Sequence, residues 1–116
     1  MNYAVVGFGT AGYHAVKAIR TCDKEGEIDV YSNTSRAPYN PMLTTYYAFG
    51  KLEFDGLFPF GDLDQIRKEI SFHLIQEPVI RVHAKEHLVE TKQKTKQYDR
   101  ILIATGARAF APPVEG

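Results

Sequence analysis

Residues 1–19 read MNYAVVGFGTAGYHAVKAI, and the six residues GFGTAG at 7–12 decide how the rest is read. Tyr3 to Val6 is a short apolar run that stops at Gly7, the pattern of a strand buried in a parallel sheet. Residues 11–22 then carry Ala11, Ala15 and Ile19 at helical spacing. Ala11 and Ala15 are small enough for that helix to lie close on a sheet. Gly26 is its expected stop, and Glu27 to Tyr31 forms a second strand.

A strand, a glycine turn, a helix and a second strand within about thirty residues is the layout of one dinucleotide-binding half. Each glycine has a mechanical reading. Gly7 permits the tight turn out of the strand, Gly9 leaves the backbone bare for a pyrophosphate, and Gly12 lets the helix pack tightly. The alternative is a tight strand-to-helix turn that holds no ligand. The second strand departs from the usual pattern: it ends Tyr31-Ser32-Asn33, with no acid for the ribose hydroxyls. Ser32 or Asn33 can hydrogen-bond a hydroxyl, and Arg36 can approach a phosphate. A 2′-phosphate cofactor, NADP, also tolerates the missing acid, so the glycines alone leave the nucleotide open.

Composition sets outer limits. The 116 residues are 44% hydrophobic and 24% charged, with 14 Lys+Arg against 14 Asp+Glu. That balance gives no net field for nucleic acid or an acidic membrane. The single Cys22 excludes an internal disulfide and fits a reducing, cytoplasmic setting. No signal peptide and no apolar run of membrane-spanning length is expected. The final Ala111-Pro112-Pro113-Val114-Glu115-Gly116 reads as a linker, so the chain is expected to be a piece of a longer protein or one subunit of a split one.

From Ser32 to Gly61 the reading is loop and short helix, punctuated by Pro38, Pro41 and Pro59. Residues 42–50 are a short helix entered through Pro41. Half of the fourteen aromatics lie between Tyr39 and Phe60, a density that calls for cover by a ligand, another domain or a partner. Asp62 and Gln65 make a capping-box pattern for a helix to about Glu69. Strands are expected at 70–75, at 79–84 paired antiparallel with 87–91, and, as a buried element, at 98–105. Lys92 to Gln97 is expected to be a polar turn.

Two later segments break the tie between nucleotides. RAPYNPMLTTYYAFG at 36–50 resembles the loop and short helix beside the isoalloxazine in the FAD-dependent pyridine nucleotide-disulfide oxidoreductase family. YDRILIATGARAFAPPVEG at 98–116 is similar to that family's second FAD signature. The resemblance implies an α/β, Rossmann-like half domain, a parallel sheet flanked by helices with a small antiparallel β-meander. Residues 1–110 would be the first part of an FAD-binding domain, and 111–116 the crossover linker to an NAD(P)H-binding domain beyond this sequence. The implied activity is hydride transfer from NAD(P)H to FAD, with electrons passed to an acceptor. The 116 residues alone are then expected to be inactive and to bind FAD weakly or not at all.

By matching position, the resemblance puts Gly7, Gly9, Thr10, Ala11 and Gly12 at the pyrophosphate. Ser32 and Asn33 stand at the adenosine ribose, Asn40 and Pro41 on the flavin side, and Val79 at the adenine. Ala104, Thr105 and Gly106 line the pyrophosphate and ribityl region. No catalytic residue and no metal ligand is assigned. The redox cysteine of the family's disulfide-reducing, NADH-oxidase and peroxidase branches would fall near Met42, where there is none, which points to an iron–sulfur or other protein acceptor, oxygen or a small organic oxidant. The expected partners are the remainder of the chain or a complementary subunit, with a homodimer as one way to cover the aromatics. Nucleic acid and membrane are not expected partners.

The remaining constellations have plainer readings. His83 and His87 fall on strand-like sequence without a third ligand, Asp62 and Asp64 suit a helix cap better than a calcium loop, and the lysines of KQKTKQ at 92–97 suit a solvated turn. The competing function is a non-catalytic NAD(P)(H)-binding sensor. A third reading is a fragment of a single-domain NADP-dependent dehydrogenase.

Overall fold

In the computed structural model, which describes residues 1–107 and 112–114, four parallel strands form the central layer. They are β1 (Asn2–Val6), β2 (Glu27–Tyr31), β3 (His73–Ile75) and β7 (Arg100–Ile103), in the order β3-β2-β1-β7. Helix α1 (Thr10–Cys22) joins β1 to β2, and α3 (Leu63–Glu69) precedes β3. Strands β4 (Val79–His83), β5 (Leu88–Thr91) and β6 (Thr95–Gln97) make a separate antiparallel sheet. This is the expected Rossmann-type α/β arrangement with its meander.

The pleat sorts the core into two layers, because successive strand residues face opposite sides. Val5, Ile28 and Val30 pack with Val16 of α1 and Ile66 of α3. Ala4 and Tyr31 turn the other way, onto Val89 of the meander and Tyr98. Both faces of β1 and β2 are therefore covered, which is why Tyr3 to Val6 of β1 reads as an unbroken apolar run, while β2 carries Asp29 among its buried residues.

One polar group sits in the second layer. Asp29 is buried, and its carboxylate accepts from Lys96 Nζ at 2.8 Å and the Tyr98 hydroxyl at 2.7 Å, with His73 Nδ1 at 3.1 Å. Burial pushes the Asp29 carboxyl up, but the hydrogen bonds from Lys96, Tyr98 and His73 outweigh it and leave it below the ordinary range. Burial, followed by the hydrogen bonds with Tyr31 and Asp29, raises the Tyr98 phenol and keeps it protonated. This network fastens the meander to the parallel sheet.

Helix α3 starts as its sequence dictates. Asp62 Oδ1 accepts from the Gln65 N–H and Gln65 Oε1 from the Asp62 N–H, both at 2.9 Å. Asp62→Ala removes one side of this reciprocal cap and is expected to cost about 1 kcal/mol in urea unfolding, with no change in cofactor affinity.

Four local expectations need correction. Helix α1 is closed by Asp23, whose extended backbone donates to the Ile19 carbonyl at 2.7 Å. Gly26 is instead a crowded position, where a Cβ would lie 2.5 Å from Asp23 Oδ2 and 2.9 Å from the Met1 carbonyl. Ala11 is exposed, because the sheet-facing stripe of α1 runs through Gly12 and Val16, one residue round from the spacing expected. Residues 95–97 extend into β6, paired with Leu88 to Glu90 of β5, where an outer strand can remain polar. The buried strand expected at 98–105 is confined to Arg100–Ile103, at the sheet edge, with Leu102 44% and Ile103 60% exposed.

The aromatic segment folds as a 3-10 helix (Pro41–Leu43), α2 (Thr44–Ala48) and a second 3-10 helix (Phe54–Leu57). It leaves Met42 and Phe49 about four-fifths exposed, at 81% and 80%. Residues 108–111 and 115–116, and with them most of the expected linker, lie outside the described residues.

Candidate functional site

The C-terminal ends of β1, β2 and β7 meet at Gly7. Its N–H donates to the Tyr31 carbonyl at 2.8 Å, and the Ala104 N–H donates to the Val6 carbonyl at 2.7 Å. Gly7 has φ +104°, and a Cβ there would sit 2.2 Å from the Ala104 carbonyl oxygen. A Cβ on Gly12 would sit 2.1 Å from the Gly7 carbonyl oxygen. Both glycines are therefore required by the fold, for conformation and for close approach.

Gly9 differs. Its φ of −97° is open to any residue, and a Cβ there would meet nothing within 4 Å among the described residues. Neither strain nor packing asks for glycine at this position. A ligand lying on the main chain would, since a side chain there would stand in its path.

Gly9 is also the N-cap of α1, and no side chain caps the helix there. The first-turn N–H groups, which a helix cannot satisfy internally, face outward beside the bare glycine. The macrodipole adds only about 0.3–1 kcal/mol per charge at an exposed site, so direct N–H contacts must supply most of any phosphate affinity.

Beside this corner lies a cavity of about 220 Å³. It brings together Gly7, Ser32, Asn33, Val79 and Thr105, five of the positions expected from sequence. Thr10 and Ala11 lie exposed at the first turn of α1, and Gly106, with φ +72°, is exposed beyond Thr105. Asn40 and Pro41 stand outside the lining, where Asn40 Oδ1 accepts from the Met42 N–H at 3.0 Å and starts the first 3-10 helix. Arg36 borders a different groove, with Phe54 and Asp62.

The sequence reading missed Glu77, which also lines the cavity. An acid two residues before Val79 was the available signal, since the resemblance places Val79 at an adenine. Among the described residues no lysine or arginine lines the cavity. Elsewhere, His83 Nε2 is 2.9 Å from Glu90 Oε1 across the β4–β5 pair, and His87 occupies the tight turn between those strands at φ 58°.

The comparisons agree with the fold. The family model for pyridine nucleotide-disulphide oxidoreductases matches residues 1–116, and the chain belongs to that family. An NADH oxidase of Methanocaldococcus jannaschii is 30% identical over all of this chain and 27% of its own length. The epsilon subunit of the NADH-dependent phenylglyoxylate dehydrogenase of Aromatoleum evansii is 29% identical over 99% of this chain and 27% of its own. A solved NAD-dependent persulfide reductase from A. fulgidus superposes with a TM-score of 0.88 at 27% identity, over 99% of this chain and 23% of its own. The chain thus spans about a quarter of the length of the relatives it matches.

Proposed function

We propose that these residues are the first part of the FAD-binding domain of an NAD(P)H oxidoreductase. Gly9 carries the reading: it is bare toward an uncapped helix terminus, and neither its φ nor any close neighbour among the described residues requires a glycine there. The corner fits a diphosphate, and the cavity beside it fits one part of a dinucleotide. At about 220 Å³ it is smaller than the roughly 300–1,000 Å³ of a complete small-molecule site.

In this reading residues 9–12 bind the diphosphate through backbone N–H groups, and Ser32 and Asn33 orient the adenosine ribose. Val79 meets the adenine, while Ala104 to Gly106 border the remainder. When bound, FAD supplies the redox chemistry, taking a hydride from NAD(P)H and releasing electrons to an acceptor. Asn40, Pro41 and the exposed aromatics form the flavin side and the surface on which the rest of the protein packs, so turnover requires the full-length polypeptide. With no cysteine at Met42, the acceptor is a protein, oxygen or a small oxidant rather than an active-site disulfide.

The NADP alternative is disfavoured by Glu77. Each unit of charge on a 2′-phosphate placed about 4 Å from that carboxylate would cost roughly 4 kcal/mol at an effective dielectric of about 20. The deciding experiment is the visible spectrum of the purified full-length protein. Flavin bands that bleach with NADH or NADPH support the proposal, and a colourless protein that binds NADH supports the sensor.

A further inference from the structure

The acid absent from the end of β2 has a counterpart one strand over. We propose that Glu77 is the carboxylate that accepts the adenosine ribose hydroxyls of the bound dinucleotide, an inference that rests on the FAD reading above.

Three observations carry it. First, β2 and β3 run parallel with Tyr31 opposite Ile75, and both the Ser32 and the Glu77 N–H donate to the Ile75 carbonyl, each at 3.0 Å. Glu77 is thereby fixed beside the residues that end β2. Neighbouring strands lie about 4.8 Å apart, a displacement that a glutamate side chain can span. Second, Thr91, itself buried, donates from Oγ1 to Glu77 Oε2 at 2.8 Å. This holds the half-buried carboxylate in one orientation. Among the described residues its other oxygen, Oε1, receives no hydrogen bond. Third, Glu77 shares one cavity with Ser32 and Asn33, and among the described residues no lysine or arginine lines it.

A carboxylate in such a cavity repels phosphate and attracts neutral donors. A ribose offers two adjacent O–H groups, and an O–H donated to a carboxylate is roughly twice as strong as one donated to a neutral oxygen. Ser32 Oγ already accepts from the Thr34 N–H at 3.2 Å and is a weaker acceptor for the same diol. The site is thus built to favour a free adenosine diol over a 2′-phosphorylated one.

The test is FAD affinity of the full-length apoprotein, read by flavin fluorescence and independent of turnover. Glu77→Gln keeps the size of the side chain and an acceptor for Thr91, and is expected to weaken FAD binding by about tenfold. The 2′,3′-dideoxyadenosine analogue of FAD is expected to bind the wild type about tenfold more weakly than FAD does. It should bind Glu77→Gln with less than about a threefold further loss, since both changes remove the same contact. Additive losses, or a wild type indifferent to the missing hydroxyls, would overturn the assignment while leaving the FAD reading intact. So would coupling of Glu77 to the adenine amino group instead, read with the inosine analogue of FAD. A wild type that binds no FAD overturns both. The analogue measurement on the wild type needs no variant to fold.

Discussion

Gly9→Val in the full-length protein is expected to purify without flavin and with its fold intact. The two halves of this result have separate causes. A valine Cβ at residue 9 meets no atom of the described residues within 4 Å and sits at a φ of −97°. Its effect on the apoprotein should therefore be limited to about 1 kcal/mol, the cost of a poor residue at a helix N-cap. The same side chain projects into the space over the first turn of α1, where a diphosphate must lie to reach the N–H groups. The readouts are flavin content after purification and thermal unfolding with and without added FAD. A ligand at a thousand times its Kd stabilises by about 4.1 kcal/mol, so the wild type should melt higher with FAD and the variant should not respond. Retained flavin in the variant would remove the pyrophosphate from this corner.

The second large effect concerns stability rather than binding. Asp29→Ala removes a buried carboxylate that holds Lys96, Tyr98 and His73 together between the two sheets. It is expected to destabilise the protein by about 1–3 kcal/mol, because the buried Tyr98 hydroxyl loses an acceptor while the Lys96 side chain, 39% exposed, can turn to water. The pH dependence follows from the direction of the shift. Asp29 is held below its ordinary value, so its contribution is fully present above the unfolded-state pKa, about 3.9. It is lost as pH falls through the lower folded-state value. Urea midpoints of the wild type should fall across that acid range, and those of Asp29→Ala should fall less. Parallel curves would mean that the network does not tie the meander to the sheet.

What was legible in the sequence was what is local. The glycine turn, the Asp62–Gln65 cap and the first two strands each depend on residues within a few positions of one another. The structure reproduces them nearly to the residue. Three expectations failed where a neighbour in space set the outcome. Gly26 answers to Met1, Tyr3 and Asp23, and β6 is polar because it lies on the outside of a small sheet. The stripe of α1 is set by the close fit of Gly12 on Gly7. Glu77 was harder to find for a related reason: only its nearness to Val79 marked it in the chain, and its place beside Ser32 depends on the pairing of β3 with β2 and on Thr91, fourteen positions away. The Asp29–Lys96 pair spans 67 positions, and no pattern in the chain announces it. Gly7, Gly9 and Gly12 looked alike as letters. Only the built backbone separates the two that the fold requires from the one it does not.

The most direct measurement is a crystal structure of the full-length polypeptide grown with FAD. The account predicts density for the diphosphate against the main chain of residues 9–12, with the adenosine ribose between Ser32 and Glu77. A nucleotide bound elsewhere, with the helix terminus at Gly9 facing only solvent, would contradict it.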